Sequence, residues 1–232
     1  MRCLPGSDPN LTPQTRMHSC YNTLCDKTTI YLPAGGRCVP GTKGTLMEET
    51  GREKVIRVCG IEPESIVDGP GFRYVLFVQG CPHHCHGCHN PESWSFDAGE
   101  DMTVGEIFDQ IRKNPNLRGV TFSGGEPFEQ AEALIELAKL CRDAGLTLMS
   151  YSGYTLDELE ARHDPATDEL LSMLDMLVDG RYDESLRNLT LVYCGSENQR
   201  VIDMNKTRKA RSEGDHGMVV PYKSGFDIDI RI

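Results

Sequence analysis

No apolar run in this 232-residue chain approaches the ~20 residues that cross a bilayer; the longest is Val75 to Val78, with Tyr74 before it. A membrane span is therefore not expected. The opening residues, Met1-Arg2-Cys3-Leu4-Pro5-Gly6-Ser7-Asp8, lack the apolar segment of a secretory signal, so the expected location is cytoplasmic. Basic charge is also scarce. Against 24 Lys and Arg stand 35 Asp and Glu, a net −11, and residues 54 to 200 alone hold 12 − 25 = −13. A nucleic-acid binder needs a basic stripe to neutralise phosphates, and this chain has the opposite sign, so neither DNA nor RNA is an expected partner. Internal repeats and a Ser/His/Asp catalytic set are absent too, and no side chain is assigned acid–base catalysis. What remains, 38% hydrophobic and 25% charged, is the composition of a globular protein.

Cysteine, by contrast, is abundant: ten residues, at 3, 20, 25, 38, 59, 81, 85, 88, 141 and 194. In a reducing compartment such numbers point to metal ligation or redox chemistry rather than to disulfides. The one dense cluster is Cys81, Cys85 and Cys88, spaced x3 and then x2.

Residues 1–50, rich in Pro, Gly, Thr and Asn, show neither a helical nor a strand period and read as a poorly structured extension. From Lys54 the pattern changes. Val55–Cys59 and Tyr74–Val78 read as strands around a turn at Asp68-Gly69-Pro70-Gly71. Thr103 and Glu106 form a capping box ahead of an apolar face of Val104, Ile107, Phe108 and Ile111. Gly119–Phe122 is a strand and Ser123–Pro127 a turn. A helix then carries Phe128, Ala131, Leu134, Ile135, Ala138 and Cys141 to a stop at Gly145. Leu146–Ser150 is a strand, Thr155 to Glu158 a second capping box, Asp168–Leu174 helical and Met176–Val178 a strand. Leu191–Cys194 is one more expected strand, and Phe226–Ile232 an edge strand in a tail running from 204 to 232. This alternation predicts an α/β fold whose parallel strands form a partial (βα) barrel-like sheet with flanking helices; a full barrel takes ~250 residues.

The cysteine cluster follows directly on the Tyr74–Val78 strand, at the C-terminal end where parallel α/β folds bind ligands. Three thiolates on one loop suit zinc or an iron–sulfur cluster. A structural zinc site wants four closed ligands, usually as two x2-spaced pairs, and one of His83, His84, His86 or His89 could complete a Cys3His set. An iron–sulfur cluster normally takes four cysteines, so three would leave one iron open, which is a catalytic feature.

The cluster, followed at a second strand end by Ser123-Gly124-Gly125-Glu126-Pro127, resembles the radical S-adenosylmethionine superfamily. More narrowly, Asp68–Gly71, Phe77–Cys81, Cys88–Trp94, Tyr151–Leu159, Leu177–Gly180 and Gly195–Arg200 are similar to motifs of the glycyl-radical activating enzymes that serve anaerobic ribonucleoside-triphosphate reductase. The match runs from about Val55 to Asp203, which makes 51–203 the expected radical S-adenosylmethionine domain.

The resemblance implies that Cys81, Cys85 and Cys88 hold a 4Fe-4S cluster whose open iron is chelated by the amino and carboxylate groups of the cosubstrate S-adenosyl-L-methionine. It also implies that reductive cleavage gives a deoxyadenosyl radical, which takes a hydrogen atom from a glycine of the reductase's large chain, with a flavodoxin or ferredoxin as electron donor. Gly124 and Gly125 would bring backbone amides to the cosubstrate carboxylate, and Glu126 an anion to its ammonium group. Gly87, Cys88 and His89 would approach the nucleotide, and Ser150, Ser152 and Asp179 at strand ends are candidate contacts. Trp94 reads as a packing anchor for the loop. Asn198, Gln199 and Arg200 match the family motif without a role that chemistry assigns. Two alternatives remain: an activase of the formate-lyase type, and a non-catalytic zinc-stabilised binding module. Cys3, Cys20, Cys25 and Cys38 are a weak second metal set, and everything the family needs lies after Met47.

Overall fold

Two threonine caps start helices where the sequence places them. Thr103 and Thr155 each accept the N–H of the glutamate three residues on, while that glutamate's carboxylate accepts the threonine's own N–H. In the computed structural model, which describes residues 51–223 together with Thr29–Ile30 and Val39–Pro40, these helices flank a single large sheet.

The chain divides into two units, Met1–Glu48 and Glu49–Ile232. In the first, Thr29–Ile30 (β1) pairs antiparallel with Val39–Pro40 (β2). Cys3, Cys20 and Cys25 lie outside the described residues, as do Cys38 and the Phe226–Ile232 strand.

The second unit runs β3 (Val55–Ser65), β4 (Arg73–Val78), β5 (Glu100–Thr103), α1 (Val104–Ile111), β6 (Gly119–Gly124), α2 (Ala131–Asp143), β7 (Thr147–Tyr151), α3 (Leu156–Glu160), α4 (Pro165–Met173), β8 (Met176–Asp179), β9 (Arg200–Asp203) and α5 (Met204–Ser212). The sheet order is β5-β3-β4-β6-β7-β8-β9. As expected from the alternation, the four central strands β4, β6, β7 and β8 are parallel and joined through helices, while both edges are antiparallel. All four parallel strands therefore deliver their C-terminal ends to one side.

Period-two alternation sorts the sheet residues onto two faces. Tyr74, Leu76 and Val78 of β4, Val120 and Phe122 of β6, Leu148 of β7 and Leu177 of β8 pack against Val104, Ile107 and Ile111 of α1 and Leu134, Leu137 and Cys141 of α2. The opposite face holds a smaller cluster of Met149, Met176 and Val178 beside Tyr151 and Tyr193. Arg73 sits on that face, 1% exposed, and its side-chain hydrogen bonds among the described residues go to hydroxyl and carbonyl oxygens. Its guanidinium donates to Thr121 Oγ1 (2.6 Å), Val120 O (2.6 Å) and Thr147 Oγ1 (2.9 Å), knitting β4 to β6 and β7, and burial lowers its pKa to about 10.

Several expected elements shift. β3 runs past Cys59 to Ser65 because β4 continues to pair with it. The helix after the Gly-Gly turn begins with a 3-10 turn at Pro127–Gln130, and Pro127 has no N–H to donate. Leu191–Cys194 is not a strand: Tyr193 has φ 64°, which breaks an extended run, and Leu189 and Val192 beside it are exposed. The last strand of the sheet is β9, which leads directly into α5. Among the described residues no helix is long and apolar enough to cross a membrane.

Candidate functional site

The cysteine loop leaves the end of β4 and is pinned at its root. Gln79 N–H donates to Arg57 O (2.9 Å), Gly80 N–H to Ser93 O (2.8 Å) and Cys81 N–H to Trp94 O (3.1 Å). The Gln79 side chain reaches Glu92 O and Ser95 O, and Gln130 spans Arg57 and Gln79 from the other side. Further along, Cys88 N–H donates to Cys85 O (3.1 Å) and Asn90 N–H to Cys88 Sγ (3.4 Å). Gly87 has φ 72° and lies where a Cβ would press on the Glu184 carboxylate, which is engaged by His86 Nδ1 (2.7 Å). Cys81 is buried, and Cys85 and Cys88 are half-buried. Burial pushes the Cys81 thiol up to about 11 against the pull of the His83 and His84 backbone N–H groups, and it also raises Cys85. Unliganded at neutral pH, these two are thiols, so metal capture would release their protons.

In the Gly-Gly turn, Gly125 N–H donates to Val78 O (2.7 Å) and Glu126 N–H to Gly80 O (2.8 Å), so these two amides are taken up by the root of the cysteine loop. The approach is close: a Cβ at Gly125 would lie 2.4 Å from Gly80 O, and one at Gly124 (φ 88°) 2.6 Å from Phe77 Cα. The pair brings the end of β6 against the end of β4, which no side chain permits.

Glu126 is fully buried, and both its oxygens are engaged. Oε1 accepts from Phe128 N–H (3.1 Å) and Ser152 Oγ (3.0 Å); Oε2 accepts from Gly153 N–H (2.8 Å) and meets His83 Nε2 at 3.0 Å. The carboxylate thus joins the cysteine loop to the end of β7. His83 also sets its ring edge-on to Tyr154, 4.2 Å away, and lies so close to Gly153 that a Cβ there would be 2.2 Å from the imidazole.

A cavity of about 500 Å³ opens over these strand ends. Of the sequence candidates, Cys81, Cys85, Cys88, His89, Gly124, Gly125 and Ser152 line it. Gly87, Glu126, Ser150 and Asp179 do not. Ser150 Oγ donates to Tyr151 O (2.9 Å). Asp179 accepts Leu156 N–H (2.7 Å) at the start of α3 and pairs with Arg200. The motif left without a role gains one here. Gln199 Oε1 accepts from Gly195 N–H (2.9 Å), its Nε2 donates to Gly180 O (3.0 Å), and Asn198 Nδ2 donates to Arg181 O (2.7 Å), so the loop between β8 and β9 is fastened at the cavity wall. Among lining residues that sequence reasoning did not select, Asp68, Ser123, Tyr151 and Tyr193 add polar groups. Asp68, Ser123 and Tyr151 each stand in a motif that the sequence offers, and those places were the available signal; Tyr193 had none.

The donor set fits a cluster better than a single ion. A closed zinc site needs four ligands around one ion, two pairs at x2 spacing being usual, whereas the loop supplies three cysteines spaced x3 and x2. A 4Fe-4S cluster meets each cysteine at a different iron, and Cys81, Cys85 and Cys88 all line one cavity large enough to hold it. The cavity wall also carries Trp94, whose buried indole Nε1 has no hydrogen-bond partner among the described residues.

Comparison with known proteins agrees with this geometry. Residues 67–202 match the family described as a 4Fe-4S single cluster domain. The anaerobic ribonucleoside-triphosphate reductase-activating protein of Escherichia coli (strain K12) is 34% identical over 148 residues, covering 60% of this chain and 93% of that protein. The pyruvate formate-lyase-activating enzyme of Clostridium pasteurianum is 42% identical over 104 residues, 42% of this chain and 44% of the enzyme. The crystal structure of QueE from Escherichia coli covers 47% of this chain and 57% of its own at 17% identity and a TM-score of 0.38, too loose a likeness to inform the fold.

Proposed function

We propose, from the premise that this chain belongs to the 4Fe-4S single-cluster family of anaerobic ribonucleoside-triphosphate reductase-activating proteins, that its protein substrate is the large chain of that reductase. The protein is a radical S-adenosylmethionine activating enzyme, an oxidoreductase that works with a 4Fe-4S cluster and S-adenosyl-L-methionine as cosubstrate. The observation that carries the reading is the convergence of Cys81, Cys85 and Cys88 on one cavity over the ends of four parallel strands. When bound there, the cluster supplies one electron to the cosubstrate's sulfonium, and so the radical that makes a glycyl radical on the partner.

The residues of the chain hold and shape that chemistry. Cys81, Cys85 and Cys88 would hold the cluster, each at its own iron. Gly124 and Gly125 bring β6 against the loop, and Glu126 with His83 ties that loop to the turn at Ser152–Gly153. The fastened β8–β9 loop closes the far wall through Gln199.

The reductase is favoured over a formate-lyase as substrate because the alignment spans 93% of the reductase activator but 44% of the formate-lyase activator. A flavodoxin or ferredoxin as donor and a cytoplasmic location complete the proposal; the six described cysteines are free thiols, as a reducing compartment keeps them.

The test uses anaerobically reconstituted protein mixed with S-adenosyl-L-methionine, reductant and either the reductase large chain or a formate-lyase. A glycyl-radical doublet on the reductase alone is expected, with methionine and deoxyadenosine formed. A doublet on the formate-lyase instead would overturn the substrate assignment, and stoichiometric zinc without acid-labile sulfide would overturn the cluster. Reduced flavodoxin and ferredoxin, each replacing the chemical reductant, test the donor.

A further inference from the structure

Beside the reaction cavity lies a second cleft of about 670 Å³, and the two are continuous, since Val67, Asp68, Phe77 and Asn90 line both. The cleft runs along the edge of β3. Cys59, Gly60, Ile61 and Glu62 all touch it, and because successive strand residues point to opposite faces, a space met by four in a row lies beside the strand. β5 pairs with β3 only as far as Val58, so among the described residues no strand covers that edge beyond it.

Ile66 and Val67 stand at the rim of the cleft, 70% and 71% exposed. They are held there firmly. Ser65 Oγ accepts Val67 N–H (3.2 Å) and donates to the Asp68 carboxylate, Thr121 Oγ1 donates to Asp68 O (2.7 Å), and Gly69 turns at φ 130° against the Arg73 side chain. Adjacent apolar side chains displayed by a bonded loop at the mouth of a reaction site have the anatomy of a contact surface. Glu62, Glu64 and Glu92 edge the same cleft. Among the described residues none of the three pairs with a Lys or Arg; Glu62 accepts the Glu64 N–H (3.3 Å) and Glu64 the Asn114 amide (2.5 Å). In a chain of net charge −11 carboxylates alone decide nothing; these three count because they border apolar surface that continues into the reaction cavity.

The reaction itself points to the occupant. The residue that loses a hydrogen atom is a glycine with chain on both sides of it, and the reaction cavity, about 500 Å³, has to take the cluster and the cosubstrate as well. The neighbours of that glycine therefore lie along surface that leads out of the cavity. We propose that the β3 cleft seats the stretch of the protein substrate next to its reacting glycine, an extended segment with an apolar side chain against Ile66 and Val67 and a basic one among Glu62, Glu64 and Glu92. The inference rests on the substrate reading above and adds to it where the flanking residues bind and what chemistry they carry.

The test uses the reconstituted full chain with the reductase large chain. Ile66 and Glu62 line the cleft and not the reaction cavity. Ile66→Ser and Glu62→Lys are each expected to keep iron, sulfide and the rate of deoxyadenosine formation without the partner, and to raise KM for the reductase about tenfold while kcat stays. The Glu62→Lys effect should shrink as salt is added, whereas the Ile66→Ser effect should not. In the wild type, hydrogen exchange at the amides of residues 60–67 should slow when the reductase is added. A KM within about twofold of wild type in both variants overturns the proposal. So does an equal fall in kcat and in unpartnered cleavage, which would place the effect in the reaction cavity. Amides at 60–67 that are protected in the free chain and unchanged by the reductase overturn it too, because another part of this chain would then fill the cleft. If a variant fails to fold, the exchange measurement on the wild type decides. Failure of the substrate reading looks different: the wild type then leaves no glycyl radical on the reductase at any concentration.

Discussion

Glu126 shows how one residue can hold a site together without facing it. Four donors from three segments end on its carboxylate, and its side chain has no exposed surface. Glu126→Ala strands those donors in the interior and is expected to lower the unfolding free energy of the cluster-free protein by roughly 3 kcal/mol, since each unpaired buried group costs about 1–3 kcal/mol. Glu126→Gln, which keeps shape and one acceptor, should lose about 1 kcal/mol. Urea titrations compare the two, and equal stability of the alanine variant and the wild type would show that the four bonds contribute nothing net. Cys141 makes a second prediction. It is completely buried on the inner side of α2, and burial alone pushes its thiol up to about 12 from an ordinary 9.0. The folded thiol keeps its proton where the unfolded one has lost it. The stability this contributes is therefore whole below pH 9.0 and drains away as the pH climbs to about 12, with a slope of up to about 1.4 kcal/mol per pH unit. Cys141→Ala should make the decline shallower over that range, leaving the shares of the raised Cys81 and Cys85 thiols, which begin at the same pH, and that of the Tyr74 and Tyr151 hydroxyls, which begins near pH 10. Parallel declines in the two proteins would assign the titration elsewhere.

At the scale of elements, helices were readable wherever a cap and an apolar stripe coincide, as at Thr103 and Thr155. Buried strands were readable as apolar runs, as at Tyr74–Val78. The edge strands were not. Glu100-Asp101-Met102-Thr103 carries two acids and no alternation, and it is a strand because β3 offers its edge to Val55–Val58 pairing. Leu191–Cys194 shows the reverse failure: an apolar run without a partner stays a loop. The same limit governed the site. The three cysteines were legible because their spacing is local, whereas the use of the Gly125 and Glu126 amides, or of Asp179, depends on groups 21 to 47 residues away. The contact between the ends of β4 and β6 is testable through Gly125→Ala. Its Cβ would meet a backbone carbonyl that cannot swing aside, so the two ends must separate and the cysteine loop with them. The variant is expected to retain less iron and sulfide after reconstitution and to melt at a lower temperature. Undiminished cluster content would mean that the loop keeps its shape without that contact.

Across the whole molecule, the bonds that shape the cavity come from residues 57 to 199, and they close only when β4, β6, β7, β8 and the β8–β9 loop are in place together. Those bonds join described residues of the second unit, and the proposal of a functional unit that begins near Met47 is put to the test by truncation. Its other boundary lies well past Asp203. Asp203 N–H donates to Val220 O (2.9 Å), Tyr222 N–H to Val201 O (2.8 Å) and Val220 N–H to Thr207 Oγ1 (3.0 Å), so the segment after α5 returns to cover β9. The basic residues of α5 are spent in the same way. Arg208 donates to Leu171 O and Leu174 O, and Arg211 bonds Glu160 and Met218 O, leaving little of that run for a partner. Two truncations then separate. A chain beginning at Met47 is expected to bind the same iron and sulfide as the full protein and to unfold at the same urea concentration. A chain ending at Asp203 removes Met204 and Thr207 from the interior, leaves the carbonyls of Leu171 and Leu174 without their Arg208 donors and uncovers β9. It should unfold at lower urea and lose the cluster as the β8–β9 wall loosens. Equal cluster content in the two would show that the wall stands on Gln199 alone.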